Sequence, residues 1–154
     1  MNQYTVDSFV LLKSKFVPLS QLENKLDDDK YIEGKIELMI DGANILTEDH
    51  WDLVDQLWAY LVDGVSSVVL DNKSVECFFP DQPLRLALKS LGVSSIEVTI
   101  GDDVTRVNKT SFVMAIGKGG KAFFEKMLQI VPSGKFTWMA YLSKCARLIE
   151  MAAA

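Results

Sequence analysis

The stretch 31–65 constrains the fold most, because its hydrophobic period changes from that of a strand to that of a helix. Apolar Ile36, Leu38 and Ile40 alternate with charged residues. A period of two is typical of a strand with one buried face. The pair Asp41-Gly42 follows, and it favours a tight turn because glycine adopts positive φ without a Cβ clash. This part of the sequence therefore predicts a strand that ends in a turn.

The residues after the turn predict an amphipathic helix over about 48–63. Thr47 is placed as its N-cap and Gly64 as its C-cap. Apolar residues recur at steps of three and four: Trp51, Val54, Trp58, Leu61 and Val65. Both tryptophans are expected in the core, because each ring buries a large apolar area. The outer face of the helix is expected to carry a polar set: Asp52, Asp55, Gln56 and Tyr60.

The rest of the chain predicts short strands followed by two more helices. Alternating runs are found at 67–70, 75–79, 84–88, 96–100 and 104–107. Gly101-Asp102 fits a two-residue hairpin loop. Helical spacing covers about 110–131 and 136–151, with a break at Pro132-Ser133-Gly134. The prediction is an α+β fold, in which an antiparallel sheet is covered on one face by the central amphipathic helix and a C-terminal helical hairpin.

Length and composition limit the classes of protein. With 154 residues, we expect one domain over 1–151, and residues 152–154 are set apart as a vector-derived tail. The net charge of −5 argues against nucleic acid as a partner. The two cysteines are too few for a disulfide scaffold. Neither a signal peptide nor an apolar run long enough to span a membrane is found, so we expect a cytoplasmic location.

The glycine cluster at 117–121 is the strongest candidate for phosphate chemistry. If 111–116 formed a strand, then Gly117, Lys118, Gly119, Gly120 and Lys121 would form a loop that offers backbone N–H groups to a phosphate. The cluster does not match the Walker pattern, because neither Ser nor Thr follows the lysine. The competing prediction is a continuous helix, in which each glycine costs about 1 kcal/mol relative to alanine.

Other chemistry-bearing residues do not form a catalytic or metal-binding pattern. His50 is the only histidine, and Cys77 and Cys145 both lie on apolar faces, where a reactive thiolate is disfavoured. The neighbouring carboxylates Asp102 and Asp103 are explained by a turn tip. We therefore expect a protein that is not an enzyme and needs no cofactor or metal.

Two segments, DHWDLVDQLWAYLVDG at 49–64 and CFFPDQPLRLAL at 77–88, carry a resemblance. They are similar to a group of small bacterial proteins associated with the immunity proteins of toxin–immunity systems. The resemblance implies a non-enzymatic cytosolic protein that neutralises a toxin by binding it, and an acidic surface speeds the capture of a basic toxin domain.

The residues proposed to contact such a partner are Asp52, Asp55, Gln56 and Tyr60, together with the acidic run Asp27, Asp28 and Asp29. The simpler explanation of the acidic run is a solvated loop. Two alternatives remain at this point. One is a nucleotide- or phosphate-binding protein that uses the glycine cluster. The other is a structural subunit that forms a homodimer through its aromatic-rich helix.

Overall fold

The computed structural model describes residues 3–23, 26 and 31–154. The acidic run Asp27, Asp28 and Asp29 therefore lies outside the described residues. The strands are β1 (Tyr4–Leu12), β2 (Lys15–Pro18), β3 (Glu33–Ile40), β4 (Ala43–Leu46), β5 (Asp52–Leu53), β6 (Val75–Phe78), β7 (Arg85–Leu91), β8 (Ser95–Ile100) and β9 (Asp103–Asn108). The α-helices are α1 (Val54–Leu70), α2 (Lys109–Ile130) and α3 (Lys135–Ala153).

The first sheet has the strand order β2-β1-β3-β4, and β5 pairs with β3. All of these pairs are antiparallel. The predicted strand is confirmed as β3, in which Ile36, Leu38 and Ile40 are buried. The predicted turn at Asp41-Gly42 is also confirmed, with both residues at positive φ. It leads into β4, a strand that the sequence did not predict.

The second sheet has the order β6-β7-β8-β9, again with antiparallel pairs. Ile100 lies opposite Asp103, so the predicted hairpin loop at Gly101-Asp102 is confirmed. Gly101 has a φ of +61°, a conformation that favours glycine. The α+β class with antiparallel strands is confirmed, but the strands form two sheets instead of one covered sheet.

The central helix was predicted too early in the chain. Thr47 caps a single 3-10 turn at Glu48–His50, in which its hydroxyl accepts from Asp49 N and His50 Nδ1 accepts from Thr47 N at 3.0 Å. These two bonds close the turn on itself, and the chain then pairs with β3 as β5 before α1 begins at Val54. The residues at 67–70, predicted as a strand, form the last turn of α1.

Gly64 lies inside α1 and is not its C-cap. A Cβ at this position would lie 3.1 Å from Leu88 and 3.3 Å from Val75, so the glycine lets the helix pack closely on the second sheet. Trp58 is fully buried, as predicted, and its indole N–H donates to Ser8 Oγ at 2.9 Å. Trp51 is 46% exposed, because it precedes the helix instead of lying on its buried face.

The two C-terminal helices are confirmed as α2 and α3, joined by a 3-10 turn at Pro132–Gly134. Asn108 caps α2 by accepting from Ser111 N at 2.8 Å. The last helix continues through Ala153, and Ala152 packs against the core. Both sheets contact α1 and α2, whereas α3 packs on those two helices. One hydrophobic cluster therefore connects the sheets with the helices.

Candidate functional site

The glycine cluster does not form a phosphate-binding loop. Residues 109–130 form one continuous helix, so 111–116 is not a strand and the strand–loop–helix prediction is wrong. Gly117, Gly119 and Gly120 are buried in helix contacts. A Cβ at Gly119 would lie 2.5 Å from Trp58 and 2.6 Å from Val6. The N–H groups of this segment are used within the helix, because an α-helix pairs all but its first four.

The two lysines of the cluster also take ordinary positions. Lys118 and Lys121 are both exposed on α2. Lys121 lies 3.9 Å from Glu125 one turn further along the helix. An exposed pair of this kind contributes little to stability. The cluster therefore packs α2 against its neighbours with its glycines and meets solvent with its lysines.

The cysteines and the histidine do not form a nucleophilic pair. Cys145 is buried, and its burial raises the pKa of the thiol to about 12. Cys77 was predicted on an apolar face but is exposed, because it lies on the edge strand β6. Partial burial still raises the pKa of its thiol. His50 accepts from Thr47 N, and its burial lowers the pKa of the imidazole. His50 therefore supports the turn, and Cys145 is part of the core.

The predicted partner-binding residues are divided among three places. Asp55 and Gln56 line a groove between the helices, Tyr60 lines a smaller cavity next to the second sheet, and Asp52 is buried in β5. Within the part of the chain that the structure describes, no group of three or more His, Cys, Asp or Glu side chains is arranged to hold a metal ion. The groove has a volume of about 450 Å³, compared with about 250 Å³ for the cavity at Tyr60.

Stacked aromatic rings form much of the groove. The Phe124 ring lies 5.8 Å from the Trp138 ring and 5.1 Å from the Tyr141 ring, and it is within 30° of parallel to both. The Trp138 indole N–H donates to Val131 O at 2.8 Å, which fixes the position of that ring. Phe124 and Trp138 are buried and form the floor of the groove, whereas the Tyr141 ring is half-buried and presents apolar area to a partner at a low entropic cost.

A second set of contacts fixes the Tyr141 ring. Its hydroxyl donates to Asp63 Oδ2 at 2.7 Å. Lys144 donates to Asp63 Oδ1 at 2.7 Å, and its ammonium lies over the Tyr141 ring. Burial and the bond to Asp63 both raise the pKa of Tyr141. The phenol is therefore a neutral donor at physiological pH. The sequence did not indicate this group, because Asp63 and Tyr141 lie 78 residues apart.

Asp55 supplies the charge of the groove. Its Oδ1 is shielded from solvent and accepts no hydrogen bond from the described residues. Burial raises the pKa of the carboxyl, and the backbone N–H groups of Gln56 and of Asp55 itself oppose this only in part. A desolvated carboxylate oxygen without a hydrogen-bond partner, as Oδ1 is here, is costly to the fold. A cation or N–H donor that reached this oxygen would form a charge-assisted hydrogen bond with it.

Asp52 is not on the outer face of the central helix, so that prediction is wrong. It is only 3% exposed, because it precedes α1 and lies in β5 opposite Gly34. Its Oδ1 accepts from Leu53 N at 2.6 Å and from Asp81 N at 3.0 Å. Asp52 therefore links β5 to the loop before β7.

We expect Asp55→Asn to leave the free energy of unfolding at pH 7 unchanged, or to raise it by up to about 1 kcal/mol. The pKa of Asp55 is raised on folding, so the protonated carboxyl favours the fold. That contribution is present below the pKa of the unfolded chain and is lost as the pH rises through the raised pKa of the folded state.

Urea unfolding of both proteins at a series of pH values measures this effect. The stability of the unmodified protein relative to Asp55→Asn should fall as the pH rises across that window. A loss of more than about 1 kcal/mol in Asp55→Asn at pH 7 would instead make Asp55 a structural acceptor.

Comparisons of the chain with protein-family models, with curated proteins and with solved structures find no match. Among the helices of the described residues, none combines the length and the apolar character needed to cross a membrane.

Proposed function

We propose that the chain is a cytoplasmic immunity protein that blocks a protein toxin by binding it, without catalysis. The observation that carries this proposal is the groove, in which the desolvated Asp55 carboxylate lies beside the stacked rings of Phe124, Trp138 and Tyr141. Such a groove accepts a side chain that is cationic at its tip and apolar along its stem. Lysine and arginine of a basic protein have this form.

The charge of the whole protein supports a basic partner. The net charge is −5, and an acidic surface raises the rate at which a basic protein is captured. The groove contributes the short-range part of the attraction to the partner. The binding energy of an interface concentrates at aromatic or charged side chains that are desolvated on binding. Gln56 adds an amide to the same groove.

The alternatives have less support from the geometry. A phosphate-binding protein would need the glycine cluster as a loop, but those residues lie in α2. Self-association through the aromatic-rich central helix would need an exposed aromatic face, but Trp58 is fully buried in the core. Toxin binding therefore agrees best with the features of the site.

Growth protection tests the proposal. The gene next to the one encoding this chain supplies the toxin candidate, which is expressed in a host that it kills. Co-expression of this chain should restore growth, and a toxin with an unrelated activity should still kill. If the chain does not protect against its neighbour, or if the neighbouring genes encode only metabolic enzymes, the immunity function is rejected.

A further inference from the structure

A second acidic cavity is lined in part by residues 51–53, the segment that leads into α1. It has a volume of about 230 Å³ and is separate from the groove. Its lining residues are Glu33, Trp51, Asp52, Leu53, Asp81 and Gln82. The partner contact proposed for the groove does not involve this cavity.

Asp52 gives the cavity a buried carboxylate in which only one of the two oxygens accepts hydrogen bonds. The residue is 97% buried, and Oδ1 already accepts two backbone N–H groups. Its Oδ2 is also shielded from solvent, yet it has no hydrogen-bond partner among the described residues. A buried acceptor without a donor is unfavourable. A ligand that brings an N–H donor to Oδ2 relieves this cost.

The charge of the cavity selects a cation. Glu33 and Asp81 add two more carboxylates, and none of the ion pairs among the described residues involves Glu33, Asp52 or Asp81. These carboxylates are not clustered tightly enough to hold a metal ion. A cation with several donors spread over a plane fits them better than a single point charge.

Trp51 adds a surface on which such a cation can stack. The residue is 46% exposed and lines the cavity, and Gln82 Nε2 donates to Trp51 O. A guanidinium group stacks on an indole ring while its edges donate to carboxylates, whereas an ammonium lacks the flat face. The cavity therefore favours arginine over lysine.

We propose that this cavity binds the guanidinium group of an arginine on the partner protein. The inference rests on the proposed binding function and names a second anchor for it, separate from the groove. The acidic protein attracts a basic partner, and the buried Oδ2 of Asp52 with the Trp51 ring then selects arginine at close range.

Nuclear magnetic resonance titration of the full chain tests the cavity without a toxin. The probe is N-acetyl-arginine methylamide, which presents an arginine as it occurs in a protein. The indole N–H signal of Trp51 is assigned by its loss in Trp51→Phe. We expect that signal to shift saturably with the probe, whereas the equivalent citrulline derivative, which is neutral, should not shift it.

Two variants locate the binding. Asp52→Asn keeps an oxygen for the two backbone N–H groups but removes the charge, and it should weaken probe binding by about tenfold or more. Glu33→Gln changes an exposed residue and keeps the proposal testable if Asp52→Asn does not fold. It should weaken binding in the same direction.

The outcomes separate this proposal from the immunity function. An absent Trp51 shift, or an equal shift with the citrulline derivative, would overturn the arginine site, whatever the growth test shows. Tighter binding of free L-arginine than of the blocked derivative would assign the cavity to a small molecule and would also overturn it. Saturable, charge-dependent binding of the blocked derivative supports it, even if the neighbouring toxin candidate proves wrong.

Discussion

Replacing Gly119 with valine is expected to lower the free energy of unfolding by about 3 kcal/mol, near the upper end for overpacked cores. A Cβ at this position would lie 2.5 Å from Trp58 and 2.6 Å from Val6. Trp58 is held by its bond to buried Ser8, so the ring has little room to move. Denaturant unfolding followed by circular dichroism measures the change.

Lys118→Val is the matched control, because it places the same side chain one residue earlier on an exposed position of α2. Its free energy of unfolding should stay within about 0.5 kcal/mol of the unmodified protein. A Gly119→Val variant as stable as this control would contradict the packing role of the glycine.

Asp55→Lys is expected to weaken binding to the toxin by about 100-fold or more, which matches the loss of a buried charge contact. The substitution reverses the charge of the groove at the point where Oδ1 is desolvated and unpartnered. A cationic side chain of the partner would then meet a like charge in a site of low dielectric. Isothermal titration calorimetry with the purified toxin measures the change, and circular dichroism confirms the fold of the variant.

Asp71→Lys is the control for net charge. Asp71 is exposed at the C-terminal end of α1, where a cation is compatible with the helix dipole. Both variants change the net charge equally, so they alter long-range attraction to a similar extent. If Asp71→Lys weakened binding as much as Asp55→Lys, the effect would come from overall charge and the groove would not be the contact site.

The strands and hairpins were the most predictable part of the fold. The alternation in β3 and β8 and the turn residues at Asp41-Gly42 and Gly101-Asp102 are local signals, and the structure places these turns where the sequence did. The two C-terminal helices were also predicted, because Pro132 and Gly134 mark the break between them. Such features depend on neighbours in the chain and not on distant contacts.

The start of α1 was not predictable from local signals. Thr47 has the sequence of an N-cap, but it closes only one turn with His50, and the pairing of β5 with β3 then delays the helix. This shift changes the position of every polar residue in the segment. As a result, Asp52 is buried and Trp51 meets solvent, the reverse of what the helical pattern indicated.

The candidate site was predicted only in part. Asp55 and Gln56 were selected for their place on the central helix, and both line the groove. The aromatic rings that complete it come from α2 and α3, and their stacking depends on tertiary packing. The tight contacts of Gly119 with Trp58 and Val6 likewise join residues far apart in sequence. A single sequence does not indicate which distant residues meet.

The most direct measurement of the immunity function is the activity of the purified toxin as purified chain is added. Inhibition should be complete at one equivalent of chain; Asp71→Lys should retain it, and Asp55→Lys should need a much higher concentration to inhibit. The toxin and this chain should elute together as a stable complex in size-exclusion chromatography. Undiminished toxin activity in a large excess of folded chain would contradict the proposed function.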